Sequence, residues 1–124
     1  NMSCLFDSLS YFTLSDDGNS LRQKITAYIN EDPILIQPNT RLSNILQIQD
    51  VGFQNYVNSM RSANTWGGAI EIKAFCELYR IPVHVLVEST GSTIEFIPNQ
   101  HPRTSSNFIL ISWNGHHFEP VKHK

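Results

Sequence analysis

Charge is scarce in this chain. Asp, Glu, Lys and Arg together make up 16% of its 124 residues, and nine basic against eleven acidic side chains leave a formal net charge of −2. No Lys/Arg run interleaved with aromatics occurs, so the usual footprint of a nucleic-acid or anionic-membrane surface is missing. Cysteine is scarce too: Cys4 and Cys76 are the only two. They could close one bridge at most, which excludes a disulfide framework and predicts a reducing compartment. That means the cytoplasm, or the host cytosol for a protein delivered by a virus or a bacterial pathogen. No apolar run approaches the roughly 18 residues of a membrane span, and the opening residues carry no basic, apolar leader pattern. There is no Gly-Lys-Ser/Thr phosphate cradle, no Gly-x-Gly-x-x-Gly after a strand, no Cys-x-x-Cys and no His-Glu-x-x-His. His116, His117 and His123 are poorly spaced for zinc. No cofactor, metal, nucleic acid or membrane partner is therefore expected. With six glycines and six prolines in 124 residues, disorder and collagen-like repetition are excluded as well.

What is present is one ordinary globular domain, residues 1–124, of α+β class. Apolar residues at helical spacing predict helices over Cys4–Phe12, from Leu21 to about Asp32, over Leu42–Ile48 and Phe53–Met60, and over 68–80. The stretch 33–50 is otherwise hard to read. The second half is mostly strands. Ile81–Val87 reads as a central strand entered through Pro82, and Thr93–Ile97 as a short one. Pro98–Ser106 reads as a polar loop. Phe108–Trp113 and His116–Val121 form a hairpin whose Asn114-Gly115 pair predicts a two-residue type I′ turn. That turn would set Trp113 opposite His116, Ser112 opposite His117 and Ile111 opposite Phe118. Helices of the first half should pack on a small, mostly antiparallel sheet built by the second.

Two residues stand out chemically. Cys4 sits where a helix begins, among free first-turn amides and the positive end of the helix dipole. This setting favours a thiolate and can hold an oxyanion; the plainer reading is a small buried cysteine at a loop–helix junction. His117 lies on a rigid hairpin with Glu119 two residues on, on the same strand face. A carboxylate there can hold one ring nitrogen and leave the other for a sulfur, making His117 a candidate general base; the plainer reading is a solvated surface pair. His116 faces the other way and lacks an acidic partner. Cys76 and His84 read as packing residues.

The order of motifs is more specific than any one of them. Cys4-Leu5-Phe6 is followed by Leu21-Arg22, Tyr56-x-x-x-Met60, Trp66-Gly67-Gly68-x-x-Glu71-Ile72 and His117-Phe118. From Cys4 to Val121 this resembles the ovarian-tumour (OTU) family of cysteine proteases. The resemblance implies a papain-like α/β fold and a thiol isopeptidase that removes ubiquitin or a ubiquitin-like modifier from proteins. Ubiquitin and ubiquitinated proteins are then the expected partners. It assigns Cys4 as nucleophile, His117 as base and Glu119 as orienter. It places Asn1, Met2 and Ser3 in the oxyanion segment, and Trp66, Gly67 and His116 along a narrow substrate cleft. Helical residues 40–60 become candidates for contacting the ubiquitin body. The family's Asp-Gly-Asn before the cysteine is here Asn1-Met2-Ser3. Met2 replaces a glycine that could take positive φ, and Asn1 replaces an acidic residue. Two alternatives follow: an OTU-like module that binds ubiquitin or another partner with little or no catalysis, and a protease that processes its own longer polypeptide. A nucleophile at the fourth residue predicts a catalytic core belonging to a longer protein.

Overall fold

The computed structural model of the chain describes residues 2–14, 16–100 and 107–122. Five helices and two sheets follow in the order α1 (Cys4–Ser10), α2 (Gly18–Ile29), β1 (Ile34–Ile36), β2 (Thr40–Arg41), α3 (Leu42–Ile48), α4 (Phe53–Met60), α5 (Ala69–Tyr79), β3 (Val83–Val87), β4 (Ser92–Phe96), β5 (Ile109–Trp113) and β6 (Phe118–Pro120). The α+β reading and the order of the expected elements hold. Among the described residues no helix is long and apolar enough to cross a membrane.

The helices form where apolar spacing and caps agree. α2 begins because the Asp17 carboxylate accepts the Ser20 N–H at 2.7 Å, satisfying a first-turn amide. Its stripe of Leu21, Ile25 and Ile29 is fully buried. α5 starts where the Gly68 N–H meets the Glu71 carboxylate at 2.8 Å, and ends at Arg80 in the left-handed conformation. Cys76 lies on its buried face, packed with Ile72 and Phe75.

The main sheet has the order β4-β3-β5-β6. The central β3–β5 pair is parallel, and both outer pairs are antiparallel. Val83 and Val85 on β3 and Ile109 and Ile111 on β5 point the same way into the core, as period-two alternation requires. A second, two-stranded sheet pairs β1 with β2. It lies in the stretch that the sequence left hard to read. The segment reads Ile34-Leu35-Ile36-Gln37-Pro38-Asn39, too short and too interrupted to show alternation.

The hairpin register needs correction. The strands pair Trp113 with Phe118, Ser112 with Glu119 and Ile111 with Pro120, a slip of two residues from the expected register. Asn114 to His117 form a four-residue loop. The Asn114 side-chain oxygen accepts the N–H groups of both His116 and His117, at 2.9 and 2.8 Å. A type I′ turn needs positive φ at both central residues. Gly115 has φ +99, but Asn114 is not among the described residues with positive φ. Because the slip is an even number, every strand side chain keeps its expected face. Trp113 and Phe118 stack with centroids 5.9 Å apart.

α1 packs against α2 on one side and against β6 and β5 on the other. The helix that opens with Cys4 is therefore wedged between α2 and the sheet edge β6, into which His117 leads.

Candidate active site

Cys4 is the first residue of α1, and only 2% of it is exposed. Ser3 occupies the N-cap position, yet its hydroxyl makes no cap hydrogen bond. Instead Ser3 Oγ accepts from Arg22 Nη2 at 3.2 Å. The first intrahelical bond runs from the Asp7 N–H to the Ser3 carbonyl at 2.9 Å. Amides of the opening turn therefore lie outside the helix's own ladder, beside the thiol.

Across from α1, the Phe118 backbone N–H donates to Cys4 Sγ at 3.5 Å. This contact brings the strand that follows His117 directly against the sulfur. His117 itself reaches Glu119 through Nε2, with Oε1 at 3.5 Å. The pair sits on the outer side: the imidazole is 42% exposed and the carboxylate 66%. The structure thus places Cys4, His117 and Glu119 around one end of β6, although the first two lie far apart in sequence.

The residues expected along a substrate cleft also converge. Trp66, Gly67 and His116 line one cleft of about 610 Å³, whose walls are completed by Ile72, Trp113 and Phe118. Its position follows from a close approach at Gly67. A Cβ there would stand 2.9 Å from Leu5 Cδ2 and 3.0 Å from the Phe6 ring, so only glycine lets this loop lie on α1. Gly68 has open space around it and serves as the helix cap.

Sequence reasoning missed the buried polar framework behind these groups. Arg22 is 1% exposed, and Glu71 is as deeply buried. Tyr56 donates its hydroxyl to Glu71 Oε2 at 2.5 Å, while the Gly68 N–H donates to Oε1. Burial pushes the Glu71 carboxyl above its ordinary range, against the pull of these two donors and the charge of Arg22. Burial, reinforced by the Glu71 charge, likewise raises the Tyr56 hydroxyl. The signal for Arg22 was readable: it follows Leu21 on the stripe of Ile25 and Ile29, a lone charge on an apolar helix face. Asn1, expected in the oxyanion segment, and His123, weighed as a metal ligand, lie outside the described residues. Among those residues no three His, Cys, Asp or Glu side chains group as metal ligands.

The sequence model of the OTU-like cysteine proteases matches residues 3–123. Ubiquitin thioesterase OTU1 of Saccharomyces cerevisiae is 23% identical over 120 residues, which is 96% of this chain and 36% of that protein. The chain thus spans about a third of the curated relative it matches. An ovarian-tumour domain solved in complex with ubiquitin superposes with a TM-score of 0.76 at 23% identity, over 97% of this chain and 63% of that one. An OTU deubiquitinase from Wolbachia pipientis, bound to ubiquitin, superposes with a TM-score of 0.65 at 20% identity, over 97% and 89%.

Proposed function

The chain belongs to the OTU-like cysteine protease family, and from that membership we propose that it hydrolyses bonds between the C-terminus of ubiquitin, or a ubiquitin-like modifier, and a lysine amine. The observation that carries this reading is the contact of Cys4 with the start of β6: the Phe118 N–H touches the sulfur, and Phe118 is flanked by His117, the last residue of the loop, and by its ion-pair partner Glu119. Relatives whose structures hold ubiquitin supply the substrate class.

In the proposed mechanism Glu119 takes His117 Nε2, and Nδ1 is the nitrogen left for the sulfur. The Cys4 thiolate attacks the carbonyl carbon of the terminal glycine, and a C–S bond forms. Amides of the Met2–Cys4 segment receive the oxyanion. The His117 imidazolium gives its proton to the lysine amine as the C–N bond breaks, leaving a thioester. His117 then takes a proton from water, whose oxygen attacks the thioester and releases the Cys4 thiolate and the new carboxylate. The Phe118 N–H donates to sulfur in the resting enzyme and stabilises the same thiolate on release. A substrate tail ending in two glycines passes Gly67 and Gly68, with Trp66, Trp113 and Phe118 as apolar walls for the residues before it. We place the reaction in a reducing compartment, where Cys4 and Cys76 remain thiols.

The test is turnover of an isopeptide-linked ubiquitin substrate by wild type, Cys4→Ala and His117→Ala. Each substitution should lower kcat by at least about a hundredfold with the melting temperature kept. Full activity in Cys4→Ala would end the proposal. Ubiquitin binding without turnover in the wild type, unaffected by Cys4→Ala, would select the binding-module alternative instead.

A further inference from the structure

Arg22 is a buried charge to which the proposed chemistry gives no task. The residue is 1% exposed, and its guanidinium lies over the Phe6 ring, 4.2 Å from the centroid. Nη1 donates to the Met60 carbonyl at 2.8 Å. Nη2 donates to the Met2 carbonyl at 3.1 Å, to Ser3 Oγ at 3.2 Å and to the Thr65 carbonyl at 2.9 Å. Nε finds no acceptor among the described residues.

That pattern is a poor design for stability alone. Burying a cation is costly, and leaving one of its N–H groups unmatched adds to the cost. The acceptors explain its presence better. Met2 and Ser3 lead straight into Cys4. Thr65 leads into Trp66 and Gly67, one side of the cleft. Met60 ends α4, so residues 60 and 65 are drawn to the same fork. A trans peptide is planar with its C=O and N–H opposed, so anchoring the Met2 carbonyl also fixes the direction of the Ser3 N–H.

We propose that Arg22 is a positioning residue: its one guanidinium clamps the Met2–Ser3 segment to the Thr65–Trp66 bend, setting the oxyanion side of Cys4 and the Trp66 wall of the cleft at a fixed separation. The inference rests on Cys4 being the nucleophile. The planar fork matters, because it serves three carbonyls in different directions at once. A lysine ammonium keeps the charge but not that spread.

The experiment compares Arg22→Lys and Arg22→Met with wild type on a fluorogenic amide of the ubiquitin C-terminus. Melting temperatures and the rate of Cys4 alkylation by iodoacetamide are measured alongside. A loosened segment should cost kcat about a hundredfold, as displacements of about 1 Å do. The alkylation rate should stay within about twofold, since thiolate formation does not use the clamp, and KM, which reads the Trp66 wall, should rise by less than kcat falls. Wild-type kcat in either folded variant would overturn the proposal. So would an alkylation rate that falls in step with kcat, or failure of both variants to fold, which would make Arg22 a folding residue. Cys4→Ala, run in parallel, separates the two ideas. Turnover that survives there removes the nucleophile assignment itself, whereas turnover lost there but kept in the Arg22 variants removes only the clamp.

Discussion

Cys4 and Cys76 are both free and both buried, yet their surroundings ask different things of them. Cys76 sits in the core of α5, where its thiol faces the Phe96 carbonyl at 3.5 Å, and burial pushes it up to about 12. A thiol so raised stays protonated at neutral pH and is a poor nucleophile. Cys76 should therefore resist iodoacetamide in the native protein and be labelled only once the chain is unfolded, as peptide mass mapping will read. Labelling of native Cys76 would contradict its placement. Glu119 calls for a different scale of effect. Exposed ion pairs contribute up to about 1 kcal/mol, so Glu119→Ala should lower kcat/KM by no more than about tenfold. A loss as large as that of His117→Ala would mean that Glu119 takes part in proton transfer rather than in orienting the ring. Rates across pH for the three proteins decide it.

At the scale of elements, the packing of the Trp66-Gly67-Gly68 loop on α1 is the join on which the cleft depends. Gly67→Ala places a methyl group against Leu5 Cδ2 and the Phe6 ring at 2.9–3.0 Å, and both side chains are themselves packed in the core. It should destabilise the fold by about 1–3 kcal/mol and reduce turnover. Gly68→Ala meets no atom within 4 Å and should cost less, as denaturant titration of both will measure. α3 offers the opposite case. Leu42 and Leu46 are buried, but Ile48 is 85% exposed at its end, with Val51 exposed beyond it. If this face meets the ubiquitin body, Ile48→Asp should raise KM about tenfold and leave kcat unchanged. An unchanged KM would move the contact elsewhere. These helices were legible because their apolar spacing is regular: Leu42–Ile48 and Phe53–Met60 match the expected spans residue for residue. The β1–β2 pair was not, since five strand residues carry too little pattern. The hairpin shows a finer limit. Asn-Gly correctly marked the turn, but the Asn114 side chain, by binding two amides, chose a four-residue loop over a two-residue one. The faces survived because the slip was even. Arg22 was visible as part of a Leu-Arg motif, but its job depends on carbonyls up to 43 residues away, which no local pattern encodes.

At the scale of the whole molecule, Asp16 makes one of the long-range polar links found among the described residues. Its carboxylate accepts from Lys24 Nζ at 2.5 Å and from the Tyr79 hydroxyl at 2.7 Å, tying the turn before α2 to the end of α5. The Lys24 contact, then the Tyr79 hydrogen bond, holds the Asp16 carboxyl below its ordinary range. A carboxyl lowered in the folded state contributes stability above its unfolded value of about 3.9, and that contribution is lost as pH falls through the folded value. Wild type should therefore melt higher than Asp16→Asn near neutrality. The difference should shrink below about pH 4. A constant difference across that window would show that Asp16 acts by shape alone.

The packing of α1 on β6 brings the Cys4 thiol against the strand that His117 leads into, and the proposed function turns on that thiol and that histidine acting together. The most direct measurement is incubation of the protein with ubiquitin carrying a C-terminal electrophile, under reducing conditions, followed by intact mass and peptide mapping. The account predicts a single covalent ubiquitin adduct at Cys4, absent in Cys4→Ala and greatly slowed in His117→Ala. A folded wild-type chain that forms no adduct, or forms one at Cys76, would contradict it.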